Sequence, residues 1–118
     1  LYVADTWNQR VQVFIRAGDD LTFTPLTQWD IAGWYGQSLD NKPYITIDAR
    51  GRVYVTDPKA YRVIVFTDGG LFQYTFGDFG NDPATFDLPS GLAASNGWLF
   101  VVDSNNNRVM RFPVGEGT

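Results

Sequence analysis

Val53-Tyr54-Val55-Thr56-Asp57, followed by Pro58-Lys59-Ala60-Tyr61 and then Arg62-Val63-Ile64-Val65-Phe66, is the stretch from which the fold can be read. Two runs rich in β-branched and aromatic residues flank four residues opened by proline, the pattern of a strand, a tight loop and a second strand. The same order of residue types occurs twice more. Leu1-Tyr-Val-Ala-Asp5 passes through Thr-Trp-Asn-Gln to Arg10-Val-Gln-Val-Phe14. Leu99-Phe-Val-Val-Asp103 passes through Ser-Asn-Asn-Asn to Arg108-Val-Met-Arg-Phe112. Each copy therefore carries an apolar–aromatic–Val triplet, an Asp, four residues, and Arg-Val-x-x-Phe.

The spacing makes these copies a repeat. The aspartates are 57 − 5 = 52 and 103 − 57 = 46 positions apart, while Pro43 and Pro89, and Gly51 and Gly97, are each separated by 46. Agreement of three landmarks on one interval is the mark of a repeat architecture. The six extra residues of the first interval fall between Phe14 and Pro43.

The segment between the landmarks completes the unit. Tyr44-Ile-Thr-Ile-Asp48 reads as a strand, turned by Ala49-Arg50-Gly51-Arg52 into the Val53 strand. Asp68-Gly69-Gly70 is a hairpin turn leading to a fourth strand, 71–76, and the Gly-, Asp-, Asn- and Pro-rich segment 77–88 is a loop ending at Pro89. Val63–Phe66 and Leu99–Val102 are apolar throughout rather than alternating. Strands of that kind are expected to be covered on both faces, and without helices the cover must be other sheets. Four antiparallel strands in about 46 residues, repeated, correspond to the blade of a β-propeller.

The Asp-x4-Arg-Val-x-x-Phe core, with its upstream Pro and Gly turn, resembles the NHL repeat. The resemblance extends over essentially the whole chain, best at 1–14 and 53–66 and least in 18–42. It implies an all-β fold of NHL-type four-stranded antiparallel blades, from a parent propeller that is typically six-bladed. The chain then divides into an incomplete first blade at 1–42, holding the last three strands, a complete blade at 43–88, and an incomplete last blade at 89–118, holding the first three. A ring needs about four to eight blades. The rest of the propeller, or further copies, is therefore expected to cover the end blades. Leu1 already reads as mid-strand, and the chain is expected to be cut from something longer.

Composition narrows the role. The 118 residues are 44% hydrophobic, 16% aromatic and 19% charged, which favours a packed core over disorder. Glu116 is the only glutamate among thirteen acidic residues, and aspartate favours turns over helices. There is no cysteine and no histidine, which removes disulfides, thiolate nucleophiles, Cys/His zinc sites and imidazole chemistry from these residues. The net charge of −4 and the scattered basic residues disfavour nucleic acid. No apolar run approaches the roughly 20 residues of a membrane span.

The candidate chemistry is correspondingly sparse. Asp5, Asp57 and Asp103, with Arg10, Arg62 and Arg108, stand at the feet of the hairpin loops, and with Phe14, Phe66 and Phe112 they recur in every copy. A catalytic residue is normally unique within a domain. These residues are therefore read as structural, the Asp accepting loop N–H groups and the Arg pairing with a nearby carboxylate or carbonyl. Asp103-Ser-Asn105-Asn-Asn107 begins like a calcium loop, but Arg108 stands where that loop needs Gly and Val114 where it needs Glu. No Gly-Lys-Ser/Thr phosphate motif occurs. No catalytic residue, metal or cofactor is expected in this segment.

The loops 6–9, 33–42, 58–60, 77–88 and 104–107 emerge on one face of such a propeller, where binding residues concentrate. Asp40, Asp78, Asp82 and Asp87 against Lys42 and Lys59 give that face 2 − 4 = −2. The basic face of RNA-binding NHL domains is thus not carried over. The same loops hold Trp7, Trp34, Tyr35, Phe79 and Phe86, which suit a protein or carbohydrate partner, although several of them are expected to cover blade edges instead. The leading expectation is a non-catalytic interaction module. One alternative is part of a propeller lyase or hydrolase whose catalytic residues lie elsewhere; such enzymes resemble it in architecture. Another is a propeller appended to a bacterial membrane or envelope protein, which slightly favours an extracellular or envelope location.

Overall fold

The computed structural model of the chain describes residues 1–18, 22–36 and 42–115. It holds three antiparallel sheets. The first consists of β1 (Tyr2–Asp5), β2 (Arg10–Arg16) and β3 (Phe23–Asp30), and the second of β4 (Ile45–Ile47), β5 (Val53–Asp57), β6 (Arg62–Phe66) and β7 (Phe72–Phe76). The third consists of β8 (Pro89–Ser95), β9 (Trp98–Asp103) and β10 (Arg108–Pro113). Strands are neighbours in chain order in every sheet, so each is a meander. The helical pieces among the described residues are short 3-10 turns at Thr6–Asn8, Ala32–Gly36, Pro58–Ala60 and Ser104–Asn106. The chain is all-β, built from the antiparallel blades that its repeat predicts.

The repeat persists in three dimensions down to single residues. Asp5 pairs across its hairpin with Arg10, Asp57 with Arg62 and Asp103 with Arg108. The register shifts between Val13 and Phe14 and again between Val65 and Phe66, matched positions of the first two copies. Gly51 and Gly97 close the preceding turns at φ of 82° and 81°, a left-handed region that glycine enters without a Cβ clash. The forty-six-residue interval between these glycines thus has a backbone cause.

The sheets stack face to face, and two cores lie between them. Val53, Val55, Ile64 and Phe66 point from the second sheet towards the first, where they meet Val11, Tyr2, Ala4 and Trp29. Tyr54, Val63 and Val65 point the other way and meet Leu99, Val101, Met110 and Phe112 of the third sheet. The inner strand β4 touches β1 on one side and β8 on the other, so the sheets converge at their inner strands. Convergence at one end with wedges of apolar side chains between neighbours is the propeller arrangement.

Burial on both faces holds for Val63–Phe66, every residue of which is buried. It does not hold for Leu99–Val102: Leu99 and Val101 are buried, whereas Val102 is 39% exposed. β10 alternates between half-buried and exposed residues, with Val109 at 66% exposure. The correction has a simple cause. Among the described residues only the second sheet has a neighbour on each side, so an apolar run is covered twice there and once in the third sheet.

Candidate binding face

The face is built on the hairpin feet. Arg10 Nε donates to Asp5 at 2.8 Å, Arg62 Nε to Asp57 at 2.9 Å and Arg108 Nε to Asp103 at 3.0 Å. In each copy the Arg takes the Asp of its own hairpin as partner. Between the feet the chain makes one 3-10 turn and then enters the left-handed region at Gln9, Tyr61 and Asn107, with φ of 57°, 57° and 55°. Their N–H groups donate to the carbonyls of Thr6, Pro58 and Ser104. Asn8 and Asn106 bond back to Asp5 and Asp103 respectively, tying each turn to its own foot.

The last hairpin is anchored further. Asp103 Oδ1 accepts the Asp87 N–H at 2.8 Å, and the Arg108 guanidinium donates to the carbonyls of Asn81, Asp82 and Thr85. One ion pair thereby pins the whole loop that leads into the third sheet. The position equivalent to Asp87 in the preceding unit is 57 − 16 = 41, which lies outside the described residues. Among the described residues Asp57 Oδ1 has no hydrogen-bond partner. A Cβ on Gly33 would collide with the Asp57 carboxylate, so the glycine is what lets the 32–36 turn close over this foot. Asp57 and Asp103 are wholly buried. Asp5 is more open, and the Arg10 side chain, helped by Asn8, holds its carboxyl below the usual range.

A second network stiffens the opposite end of the middle sheet. The Tyr54 hydroxyl donates to Asp48 at 2.7 Å, and Asp48 also accepts the N–H groups of Arg50 and Arg52 and the Arg52 Nε. Arg52 reaches on to the Val114 carbonyl, just past the end of β10 in the third sheet. Burial works to raise the Asp48 carboxyl, and the bonds from Tyr54, Arg52 and Arg50 outweigh it and lower it. Burial, with the Asp48 charge beside it, raises the Tyr54 hydroxyl well above the ordinary tyrosine range.

The five aromatics divide on this frame. Trp7, Tyr35 and Phe79 are 71%, 75% and 60% exposed. The turn holding Trp7 touches the 32–36 turn, which in turn touches the 58–60 turn. The Lys59 ammonium sits 6.0 Å from the Tyr35 ring, and the Tyr61 ring meets Phe79 edge-on at 4.9 Å. A discontinuous stripe of aromatics with one ammonium therefore crosses the loop end of the sheets. Trp34 and Phe86 are corrections: both are buried and neither can reach a partner. Trp34 packs into the first core and donates its indole N–H to the Thr56 carbonyl at 2.8 Å. Phe86 fills the second core against Phe76 and Phe112, in space that Gly77 leaves free for want of a Cβ.

Tyr61 and Lys59 are the members of the stripe that sequence reading passed over as binding candidates. The available signal was Asn107, a residue suited to the left-handed conformation, at the position matching Tyr61. Asp78, Asp82 and Asp87 lie on this side with Lys59, while Asp40 falls outside the described residues. Among the described residues no group of three or more Asp or Glu is placed to hold a metal, and no helix is long and apolar enough to cross a membrane. The arrangement offers apolar and aromatic contact from a stiff base rather than a reacting pair.

Sheets that converge at their inner strands, packed through apolar wedges and locked at every hairpin by Asp and Arg, define a segment of a β-propeller. Residues 86–112 match the family model of the NHL repeat, and the hairpins at Asp5 and Asp57 repeat the Asp–Arg pairing of the hairpin within that match. NHL repeats generally mediate protein interactions. No match to a curated protein was found.

Proposed function

We propose that this chain is a non-catalytic interaction module whose loop face binds a protein partner through Trp7, Tyr35 and Phe79. The observation that carries the reading is three well-exposed aromatic rings at one end of the sheets, Trp7 on the turn between Asp5 and Arg10 and Tyr35 and Phe79 on the connections between sheets. Large rings held in place give up little conformational entropy on contact, which is why aromatics dominate binding hot spots. The neighbouring Lys59 adds one positive point to a face otherwise edged by aspartates, favouring a partner that brings a carboxylate near Tyr35.

The buried carboxylates support the non-catalytic half of the reading. Asp103 has both oxygens engaged by N–H donors, and Asp57 is covered by the turn at Gly33. The division into blades at about 43 and 89, and descent from a six-bladed parent, belong to the same proposal.

The test is comparative affinity capture with the intact chain and with the Trp7→Ala/Tyr35→Ala/Phe79→Ala variant, followed by titration of the purified partner. The expected result is a protein held by the intact chain and bound at least about tenfold more weakly by the folded variant. Equal binding by both chains, or retention of oligosaccharides alone, contradicts it. So does a hydrolytic or lyase activity abolished by replacing an aspartate of this segment.

A further inference from the structure

The three hairpin arginines use their guanidinium groups differently. Arg108 gives its Nη groups to the carbonyls of Asn81, Asp82 and Thr85, and Arg10 gives Nη1 to Gln28. Arg62 donates through Nε to Asp57, and among the described residues its Nη groups have no acceptor. The carbonyls of Tyr35 and Gly36, which match those of Asn81 and Asp82, take nothing from it. Arg62 instead borders a groove of about 280 Å³ between the first and second sheets. Ile31, Ile64 and Phe66 line it as buried residues, and Phe72, 61% exposed, gives it an apolar lip. Thr75 pairs with Ile64 across the strands and so shares the face that carries Arg62. On the opposite wall Asp30 is paired with Arg10, on the side of β3 away from the core-facing Trp29, which leaves Arg62 as the charged side chain of the groove face. Both walls consist of described residues with described chain on either side, so the groove is a feature of how two neighbouring sheets and their connection meet.

We propose that this groove binds a small carboxylic acid with a compact aromatic or alkyl body, its carboxylate on the Nη edge of Arg62 and its apolar part along Ile64, Phe66 and Phe72. The two Nη groups form one edge of a planar fork, and paired N–H donors match the two oxygens of a carboxylate. Asp57 holds the fork through Nε, which fixes its orientation in advance, so little side-chain freedom is given up on binding. The Thr75 hydroxyl stands on the diagonal of the same strand pair and supplies a second donor. The volume falls just below the range of drug-sized sites, which suits one ring on a short chain rather than a larger ligand. A neutral apolar ligand would leave the guanidinium edge to water, and an inorganic anion would leave Phe72 uncovered. An acid with an apolar body satisfies both parts of the groove.

The site is independent of the loop-face reading, because Trp7, Tyr35 and Phe79 are not among the residues that line the groove. The test is titration of the protein with 4-phenylbutyrate and with its neutral amide, 4-phenylbutyramide, followed through backbone amide resonances. The Arg62→Lys variant keeps the charge and loses the fork, and Phe72→Ala removes an exposed ring, so the folded state is expected to persist in the second even if the first is destabilised. Near-ultraviolet circular dichroism of the buried Trp34 and Tyr54 checks folding. The expected result is saturable shifts for the acid at Ile31, Ala32, Arg62, Ile64 and Thr75, with affinity at least about tenfold weaker for the amide and for each folded variant. Equal affinity for acid and amide overturns the proposal, since Arg62 would then play no part. So does the absence of saturable shifts at these positions, or tighter binding of a peptide ending in phenylalanine than of the small acid, which would make a protein C-terminus the occupant. The Trp7→Ala/Tyr35→Ala/Phe79→Ala variant is expected to bind the acid as the intact chain does, which separates this outcome from the fate of the loop face.

Discussion

Asp5, Asp57 and Asp103 occupy one position in three copies, yet the surroundings assign them different weights. Side-chain exposure is 23% for Asp5 and zero for Asp57 and Asp103. An open ion pair adds little because water screens it and both side chains must be ordered. Removing one partner of a buried pair leaves a desolvated charge behind. Asp103→Ala is therefore expected to lower stability by about 3–5 kcal/mol, stripping Arg108 and the Asp87 N–H of their acceptor. Asp5→Ala should lower it by about 1 kcal/mol or less. Urea unfolding of the two variants checks the ranking, and equal losses would show that the feet are not graded by burial. The identity of these residues was legible from their recurrence alone. That Arg108 also gathers three carbonyls of the 81–85 loop was not, since those acceptors are backbone atoms with no sequence signature.

At the scale of elements, strands and hairpins follow from local residue choice. Val-Tyr-Val and Arg-Val-x-x-Phe are good strand formers separated by a four-residue turn, and the structure places β5, β6 and their counterparts on those runs. What lay beyond the sequence was which aromatics the turns keep for the core. Trp34 and Phe86 lie in connections between sheets, outside the repeated motif, and their burial depends on how neighbouring sheets meet. Gly77 marks the space that Phe86 depends on, but a glycine in a loop has several ordinary causes. Trp34→Ala and Phe86→Ala are each expected to lower stability by about 3–5 kcal/mol. Trp7→Ala and Tyr35→Ala should change it by about 0.5 kcal/mol or less, as substitutions of exposed side chains do. Denaturant melts of the four variants decide the matter. A large loss at Tyr35 would place it in the core, and a negligible one at Trp34 would return it to the face.

For the whole molecule, one regularity accounts for most of the rest. A sheet between two neighbours is apolar on both faces, and a sheet with one neighbour shows alternating burial, as β6 and β10 demonstrate. The uniform apolar run at Leu99–Val102 expresses the requirements of the repeat and so overstates its burial within these 118 residues. Everything follows from stacked blades whose hairpins share one end. The most direct measurement of that claim is electron-spin distance determination between labelled cysteines at the equivalent positions Trp7, Lys59 and Asn105, taken in pairs with labelled chain diluted into unlabelled chain. All three sites are exposed, and the sequence has no competing cysteine. Stacked blades predict single narrow distributions, with the 7–59 and 59–105 distances nearly equal and the 7–105 distance longer than either but shorter than their sum. Hairpins at opposite ends of a sandwich would make 7–105 the shortest pair or the neighbouring pairs unequal, and that result would contradict the account.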